Sequence, residues 1–388
     1  MKLLIVPSWY PTNIHPESGT FFRDRAKILQ RCGFSITIAT HVLHSTRDIL
    51  KFKQNVNNAE AKIDDGVVVY KTESINPFPK IPSKTFNQYK KSILSLIKKV
   101  INISKPEFVF INSSLYGGAA LAKYLHAEMI PFMVSEHLKE FIIKDQFSLF
   151  QKNCIYECYY YSSKIITTSE VLKNKIINNF NIENKKILLI PNPADTKYFL
   201  PKRNKEGDTF TFISIALLRP EKRLDILIKA FAILFKQIPN IVLTIIGDGP
   251  EKDKLELLSH KLEVNNRINF IGYQNKIAVS DMLRDHDALV LSSDVETFGV
   301  VIVEAMSVGL PVIATKCGGP ESIVLKETGI LVESNDKNKL SEAMKYMIDC
   351  YENYDSKTIR QIAISTYGDK AYGDNIMNAI DSVLSAKG

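Results

Sequence analysis

Short runs of β-branched and aromatic residues alternate with segments whose apolar positions recur every three or four residues, and the alternation runs along most of the chain. In the first half, residues 2–6, 35–40, 67–70, 108–111, 131–135, 164–167 and 187–190 predict strands, and residues 21–32 and 115–126 carry helical spacing. Around residues 191–208 the pattern breaks into "PNPADTKYFLPKRNKEGD", polar, charged and proline-bearing, the composition of a linker. Then it resumes. "TFISIALL", "IVLTII", "INFIG", "ALVLSS", "PVIAT" and "GILV" read as strands, and "RLDILIKAFAILF" puts Leu224, Leu227, Ile228, Phe231, Leu234 and Phe235 at helical spacing. Strand and helix in alternation predict an α/β chain with parallel sheets and helices on both faces, in two successive domains divided near residue 200.

A length of 388 residues accommodates two domains, and the composition, 45% hydrophobic and 24% charged, is that of a globular protein. No apolar run approaches the roughly 20 residues of a membrane-spanning helix. The opening "MKLLIVPSWYP" is cut by Pro7 and reads as a buried first strand rather than a secretory leader. Cys32, Cys154, Cys158, Cys317 and Cys350 form no CxxC pair and have no histidines at metal spacing, a sparse set that fits a reducing cytoplasm; Cys154 and Cys158 could share a helix face but read as buried thiols. The net charge of +8 suggests a negatively charged partner: nucleic acid, anionic membrane or a phosphorylated substrate. Nucleic acid is disfavoured, because the basic residues are not interleaved with an aromatic stacking surface.

Ligands of open parallel sheets bind beyond the carboxyl ends of the strands. The loops there hold Gly19-Thr20, Glu136-His137, residues 219–222, residues 247–249, residues 296–299 and Gly318-Gly319. In "LLRPEKRLD", Arg219 and Lys222 flank a strand–helix junction, and two cations beside a helix start suit a phosphate or diphosphate; a solvated basic turn is the competing reading. "IIGDGPEKDKL" lacks a complete GxGxxG, so hydride transfer with a dinucleotide is disfavoured. Asp285-His286-Asp287 reads as a helix end rather than a metal site.

In "DVETFGVVIVEAMSVGLPV", Glu296 and Glu304 bracket an apolar run, although an unpartnered buried carboxylate is costly. Propensity makes "VVIV" a strand, whereas Gly299 and Gly309 predict a short helix over residues 300–307. In that case Glu304 points back toward the helix mouth, Glu296 lies on the loop above, and the N–H groups of Phe298, Gly299 and Val300 face a phosphate. Phosphates beside many hydroxyls describe a nucleotide sugar.

The E-x7-E pattern, with Phe-Gly after the first Glu and "EAMSVGLPVIAT" at the second, resembles the family-4 retaining glycosyltransferases. "SWYPTNIHPESGTFFRDRAKIL", "VSEHLKEF", "ITTSEVLKNKI", "IPNPADTKYF", "RPEKRLDILIKAF", "IGDGPEKDKL" and "CGGPESIV" resemble further motifs of that family in the same order, from Lys2 to about Tyr367. The resemblance implies GT-B architecture: two Rossmann-like domains with parallel sheets facing a cleft, an acceptor domain over residues 1–200 and a donor domain over 201–370. Residues 371–388 would form a helix packing back toward the first. It further implies that Glu304 binds ribose hydroxyls, that Glu296 and the backbone of Phe298, Gly299 and Val300 hold donor-sugar hydroxyls and diphosphate, and that Lys222 neutralises the leaving diphosphate. Gly19 would approach that diphosphate, and His137 would line the reaction side. Many relatives carry Gly-Arg-Leu where this chain reads Ala216-Leu217-Leu218, so either Arg219 replaces that arginine or Lys222 carries most of the charge.

The expected activity is retaining transfer of a hexose or N-acetylhexosamine from a UDP- or GDP-linked donor, without cofactor or metal, to a glycan or lipid-linked acceptor in bacterial cell-surface polysaccharide assembly. A nucleotide-sugar epimerase or hydrolase of the same fold, or a catalytically silent scaffold, are the rivals. Residues 80–100 combine Phe86, Tyr89, Ile93, Leu96, Ile97 and Val100 at helical spacing with Lys84, Lys90, Lys91, Lys98 and Lys99. Such a helix either packs on its own domain or lies on the inner face of an anionic cytoplasmic membrane.

Overall fold

The computed structural model describes residues 1–16, 18–52, 60–143, 147–203 and 207–385 and divides into two compact units. Unit 1 comprises Met1–Thr168, Leu172–Ile190 and the chain from Tyr372 onward; unit 2 comprises Ser169–Val171 and Pro191–Ala371. The passage between them falls at Pro191, ahead of the boundary expected at residue 200, because "PNPADTKYF" already packs on unit 2: Ala194 and Phe199 are buried in its core.

Among the described residues, unit 1 contains β1 (Lys2–Pro7), β2 (Ser35–His44), β3 (Ala61–Asp64), β4 (Val67–Ile75), β5 (Phe108–Asn112), β6 (Phe132–Ser135), β7 (Lys164–Thr167) and β8 (Ile187–Leu189). They form one sheet in the order β3-β4-β2-β1-β5-β6-β7-β8. Every pairing is parallel except that of β3 with β4. All five residues of β5 are buried, as expected of a parallel strand covered on both faces. The edge strand β3 was not anticipated. It is short and exposed, and its turn, Asp65-Gly66, has positive φ at both residues, the geometry of a tight hairpin.

Three helices need comment. Over the stretch expected at 115–126, a π turn, Ser114–Gly118, precedes a helix only at Ala119–Ala127. The helix Pro82–Ser104 buries Phe86, Tyr89, Ile93, Leu96, Ile97 and Val100 in the core of unit 1. Each such side chain stabilises the fold by about 1.5–3 kcal/mol relative to exposure. Of the two alternatives for residues 80–100, the helix is thus the one that packs on its own domain, and its apolar face is not available to a membrane. The last helix, Asp369–Leu384, buries Tyr372, Ile376, Ile380 and Val383 against Leu3, Ile5, Ile36 and Ile38 of β1 and β2.

Unit 2 contains, among the described residues, β9 (Phe210–Ile215), β10 (Ile241–Ile246), β11 (Ile268–Gly272), β12 (Ala288–Leu291), β13 (Val312–Lys316) and β14 (Gly329–Glu333), in the order β11-β10-β9-β12-β13-β14 and parallel throughout. The order turns back between β9 and β12, so the loops leaving their carboxyl ends diverge there, the place where such sheets take ligands. "TFISIALL" stops being strand at Ile215 because the next residues bond sideways: Ala216 N–H to Ile246 O at 3.0 Å and Leu218 N–H to Asp248 O at 2.9 Å. A Cβ on Gly247 would lie 1.8 Å from Ala216 O, so only glycine permits that contact. No helix of the described residues is long and apolar enough to cross a membrane.

Candidate functional site

Beyond β9 the chain makes a tight turn, Pro220–Lys222; beyond β12 it runs through residues 292–299 into the helix Val300–Val308. The two loops are laced together. Ser292 Oγ donates to Lys222 O at 2.9 Å, Asp294 N–H donates to Glu221 O at 2.9 Å, and the Arg223 guanidinium meets Asp294 at 2.9 Å. Arg223, at φ 48, holds a left-handed conformation that lets the chain double back into the helix Leu224–Phe235.

The lacing sets Lys222 Nζ 2.5 Å from Glu296 Oε1, and Ser293 Oγ donates to the same oxygen at 2.9 Å. Both side chains are mostly shielded, 21% and 15% exposed, so the charges interact through a medium poorer than water. Glu296 is fixed from below as well: its N–H donates to Cys317 O at 3.0 Å and its carbonyl accepts from Gly319 N–H at 2.8 Å. A Cβ on Gly319 would fall 2.2–2.4 Å from Phe298 backbone atoms, so the Gly318-Gly319 corner is the floor of this loop. Glu321 in turn accepts from the N–H groups of Cys317 and Gly318 and holds the corner shut.

The residues "VVIV" are helical. Gly299 at φ 98 opens the helix and Gly309 at φ 93 closes it, Leu310 N–H reaching back to Ala305 O; two glycine corners override β propensity. The N–H groups of Phe298, Gly299 and Val300 find no acceptor among the described residues. Glu304 sits one turn into this helix and is half-buried, between the buried Val303 and Ala305. Arg219 is exposed; its carbonyl accepts from Lys222 N–H at 3.0 Å and so shapes the turn. The structure thus brings Lys222 and Glu296 into contact, and puts Phe298, Gly299, Val300 and Glu304 on the same loop and helix. Ser293, Asp294, Arg223 and Glu321 were missed by sequence reasoning, and only the density of small polar residues after β12 hinted at them.

In unit 1, Gly19 caps the helix Thr20–Arg31 at φ 71, and a Cβ there would lie 2.7 Å from Trp9 O. His137, just beyond β6, accepts at Nε2 from Arg25 Nη1 at 3.0 Å, with Ser135 Oγ 2.9 Å from the same nitrogen. Arg25 Nη2 lies 3.5 Å from Nδ1 as well, so the guanidinium, which only donates, faces both ring nitrogens, its closer contact being to the Nε2 lone pair. Burial, and then Arg25, hold His137 well below the usual histidine range, so the ring is neutral. Arg25 itself hydrogen-bonds Tyr372 of the last helix. Beside them, Glu136 is fully buried, accepting from Ser114 N–H at 2.8 Å and Tyr159 O–H at 3.1 Å; burial pushes its carboxyl up to about 7. Its neighbour Ser113 holds φ 80, ψ 131, a strained conformation for a residue with a side chain.

Two α/β units, each with glycine corners beyond the carboxyl ends of its parallel strands, define a class. Residues 19–198 match the profile of Glycosyltransferase Family 4, and residues 196–362 that of Glycosyl transferases group 1. The two matches follow one another along the chain, and the fold is the GT-B architecture of two α/β domains with parallel sheets. An uncharacterised glycosyltransferase of Haemophilus influenzae is 31% identical over 194 residues, 49% of this chain and 53% of that protein. The chain thus spans about half the length of this relative. Among solved structures, sucrose-phosphate synthase from Thermosynechococcus elongatus superposes with a TM-score of 0.77 at 16% identity, covering 99% of each chain. Anabaena HepE, in complex with UDP, superposes with a TM-score of 0.73 at 18% identity, covering 98% of this chain and 100% of that one.

Proposed function

We propose that the chain is a retaining glycosyltransferase that moves a hexose or N-acetylhexosamine from a UDP- or GDP-linked donor to a glycan or lipid-linked acceptor, in bacterial cell-surface polysaccharide assembly. The observation that carries this reading is the Lys222–Glu296 contact at 2.5 Å, beside a glycine-opened helix mouth at the point where the strand order of unit 2 reverses. The UDP bound by the Anabaena protein of the same fold supports a nucleoside diphosphate there.

In this reading the donor diphosphate lies against the N–H groups of residues 298–300 and Lys222, while Glu304 accepts hydrogen bonds from the ribose and Glu296 from the sugar. Arg219, exposed at the same turn, adds charge from the rim. As the bond from C1 to phosphate breaks, negative charge grows on the leaving diphosphate, where the lysine and the helix mouth stabilise it most. The acceptor hydroxyl attacks C1 from the face of departure and its proton passes to the leaving phosphate oxygen, so configuration is retained and no metal takes part in the step. By the family resemblance, Gly19 would approach the diphosphate and His137, held neutral by burial and Arg25, would line the reaction side.

The test is product analysis by NMR with UDP- and GDP-sugars and glycan or lipid-linked acceptors. We expect acceptor-dependent release of nucleoside diphosphate and a product with the donor's anomeric configuration. Lys222→Ala should lower kcat more than it raises the donor KM. Free sugar or an epimer as the sole product, or an inverted linkage, overturns the proposal.

A further inference from the structure

A second cluster lies in unit 1, outside the residues assigned to sugar transfer. One ligand-capable atom from each of His15, His44 and Asp48 lies within 4.8 Å of the other two. His15 Nε2 is 3.3 Å from Asp48 Oδ2, and the His15 and His44 rings stack with centroids 6.3 Å apart. His44, at the end of β2, is 2% exposed, and its Nε2 is 2.6 Å from Glu73 Oε2 on the neighbouring β4. That contact commits Nε2 as the donor and leaves the lone pair on Nδ1. His44 Nδ1 is buried and has no hydrogen-bond partner. An orphaned buried nitrogen is costly and calls for a ligand.

We propose that His15, His44 and Asp48 bind a divalent transition-metal ion of the zinc class. Two imidazoles and a carboxylate are a zinc-type donor set, and three protein ligands leave a fourth tetrahedral position for water. The orientation of His44 by Glu73 is the carboxylate–histidine–metal arrangement, in which the carboxylate fixes the tautomer and raises the basicity of the ligating nitrogen. Glu73 is itself tied to Lys71 at 3.0 Å. The other two ligands are pre-positioned by backbone. His15 closes a turn with Thr12, N–H to Oγ1 at 3.0 Å and Thr12 N–H back to His15 O at 3.2 Å, and Asp48 caps the turn that Ser45 begins. Only a small closure is needed to bring ligand atoms that now span up to 4.8 Å around one ion. The ion would join three pieces of chain: the loop ahead of Gly19, the end of β2 and the turn that follows it.

The experiment is metal titration of the full chain, stripped with chelator. Zn2+ is followed by competition with a fluorescent chelator, and Co2+ by its visible d–d absorption. We expect one ion per chain, an imidazole- and carboxylate-type cobalt spectrum, and at least about tenfold weaker binding in His15→Ala and in Asp48→Ala. His15 is exposed and Asp48 half-buried, and unchanged circular dichroism would establish that the variants fold. Glu73→Gln, which removes only the orienting carboxylate, should weaken binding without abolishing it. The proposal is overturned if the wild-type chain binds no ion, if both alanine variants bind as tightly as wild type, or if cobalt gives the intense charge-transfer bands of thiolate ligation, which would assign binding to the cysteines.

Discussion

Lys222 and Glu296 offset each other's charge, so removing one changes what the other presents to a diphosphate. At 2.5 Å and an effective dielectric of about 20, their gross attraction is about 7 kcal/mol, most of it offset by desolvation. The net worth of a hydrogen bond to a charged group is about 1.5–3 kcal/mol. Lys222→Ala removes the contact to the diphosphate and also leaves the Glu296 carboxylate uncompensated beside it, so affinity for free UDP or GDP should fall by about 100-fold, or ~2.7 kcal/mol. Glu296→Gln keeps an acceptor oxygen for Ser293 and removes a charge that the nucleoside diphosphate, having no sugar, does not use. It should leave affinity for the diphosphate alone unchanged or tighter. In the double variant the repulsion is gone, and about tenfold of the loss should return, a coupling of roughly 1.4 kcal/mol, within the range for residues in contact. Calorimetric titration of the four proteins with UDP and GDP measures the cycle. Additive losses, or a double variant weaker than Lys222→Ala, would refute the reasoning.

Glu136 gives the chain a pH-dependent stability. Its folded carboxyl titrates at about 7 against an ordinary 4.5, so the folded chain binds the extra proton between those values, and stability present below pH 4.5 is lost as pH rises through 7. The loss is about 2–3 kcal/mol between pH 5 and 8. Urea unfolding of wild type and Glu136→Gln at the two pH values should differ by that amount, and parallel curves would contradict it. Gly319→Ala should cost about 1–3 kcal/mol in stability and most of the transfer activity, because its methyl must displace the Phe298 backbone; wild-type melting and turnover together would show that the corner yields.

Where one force governs, the sequence was readable. The run at β10 is bounded as its apolar residues predict, because a parallel strand buried on both faces has no other way to satisfy itself. The helix after Gly299 was also legible, since two glycines at its ends outweigh four β-branched residues. Long-range partners were not. Nothing near Arg25 in the chain announces that Tyr372 will hydrogen-bond it, or that its guanidinium will face the ring of His137. The hairpin at Asp65-Gly66 carried a strong local signal, but its strand, exposed at Ala61, Lys62 and Ile63, lacks the apolar alternation that marks a half-buried strand. Helical periodicity in residues 80–100 was correctly read, yet periodicity reports that a face is covered and never by what.

The return of the last helix to unit 1 has a consequence for the order in which the protein is made. Unit 1 contains both the first residues of the chain and those from Tyr372 onward. Every residue of unit 2 is therefore added before the side chains that cover Leu3, Ile5, Ile36 and Ile38 of unit 1. A chain stopped before Tyr372 would carry every residue of unit 2 but a unit 1 with an open apolar face and an Arg25 short of one partner. Synthesis, rather than stability alone, thus sets the surroundings of Arg25 and His137 to be finished last.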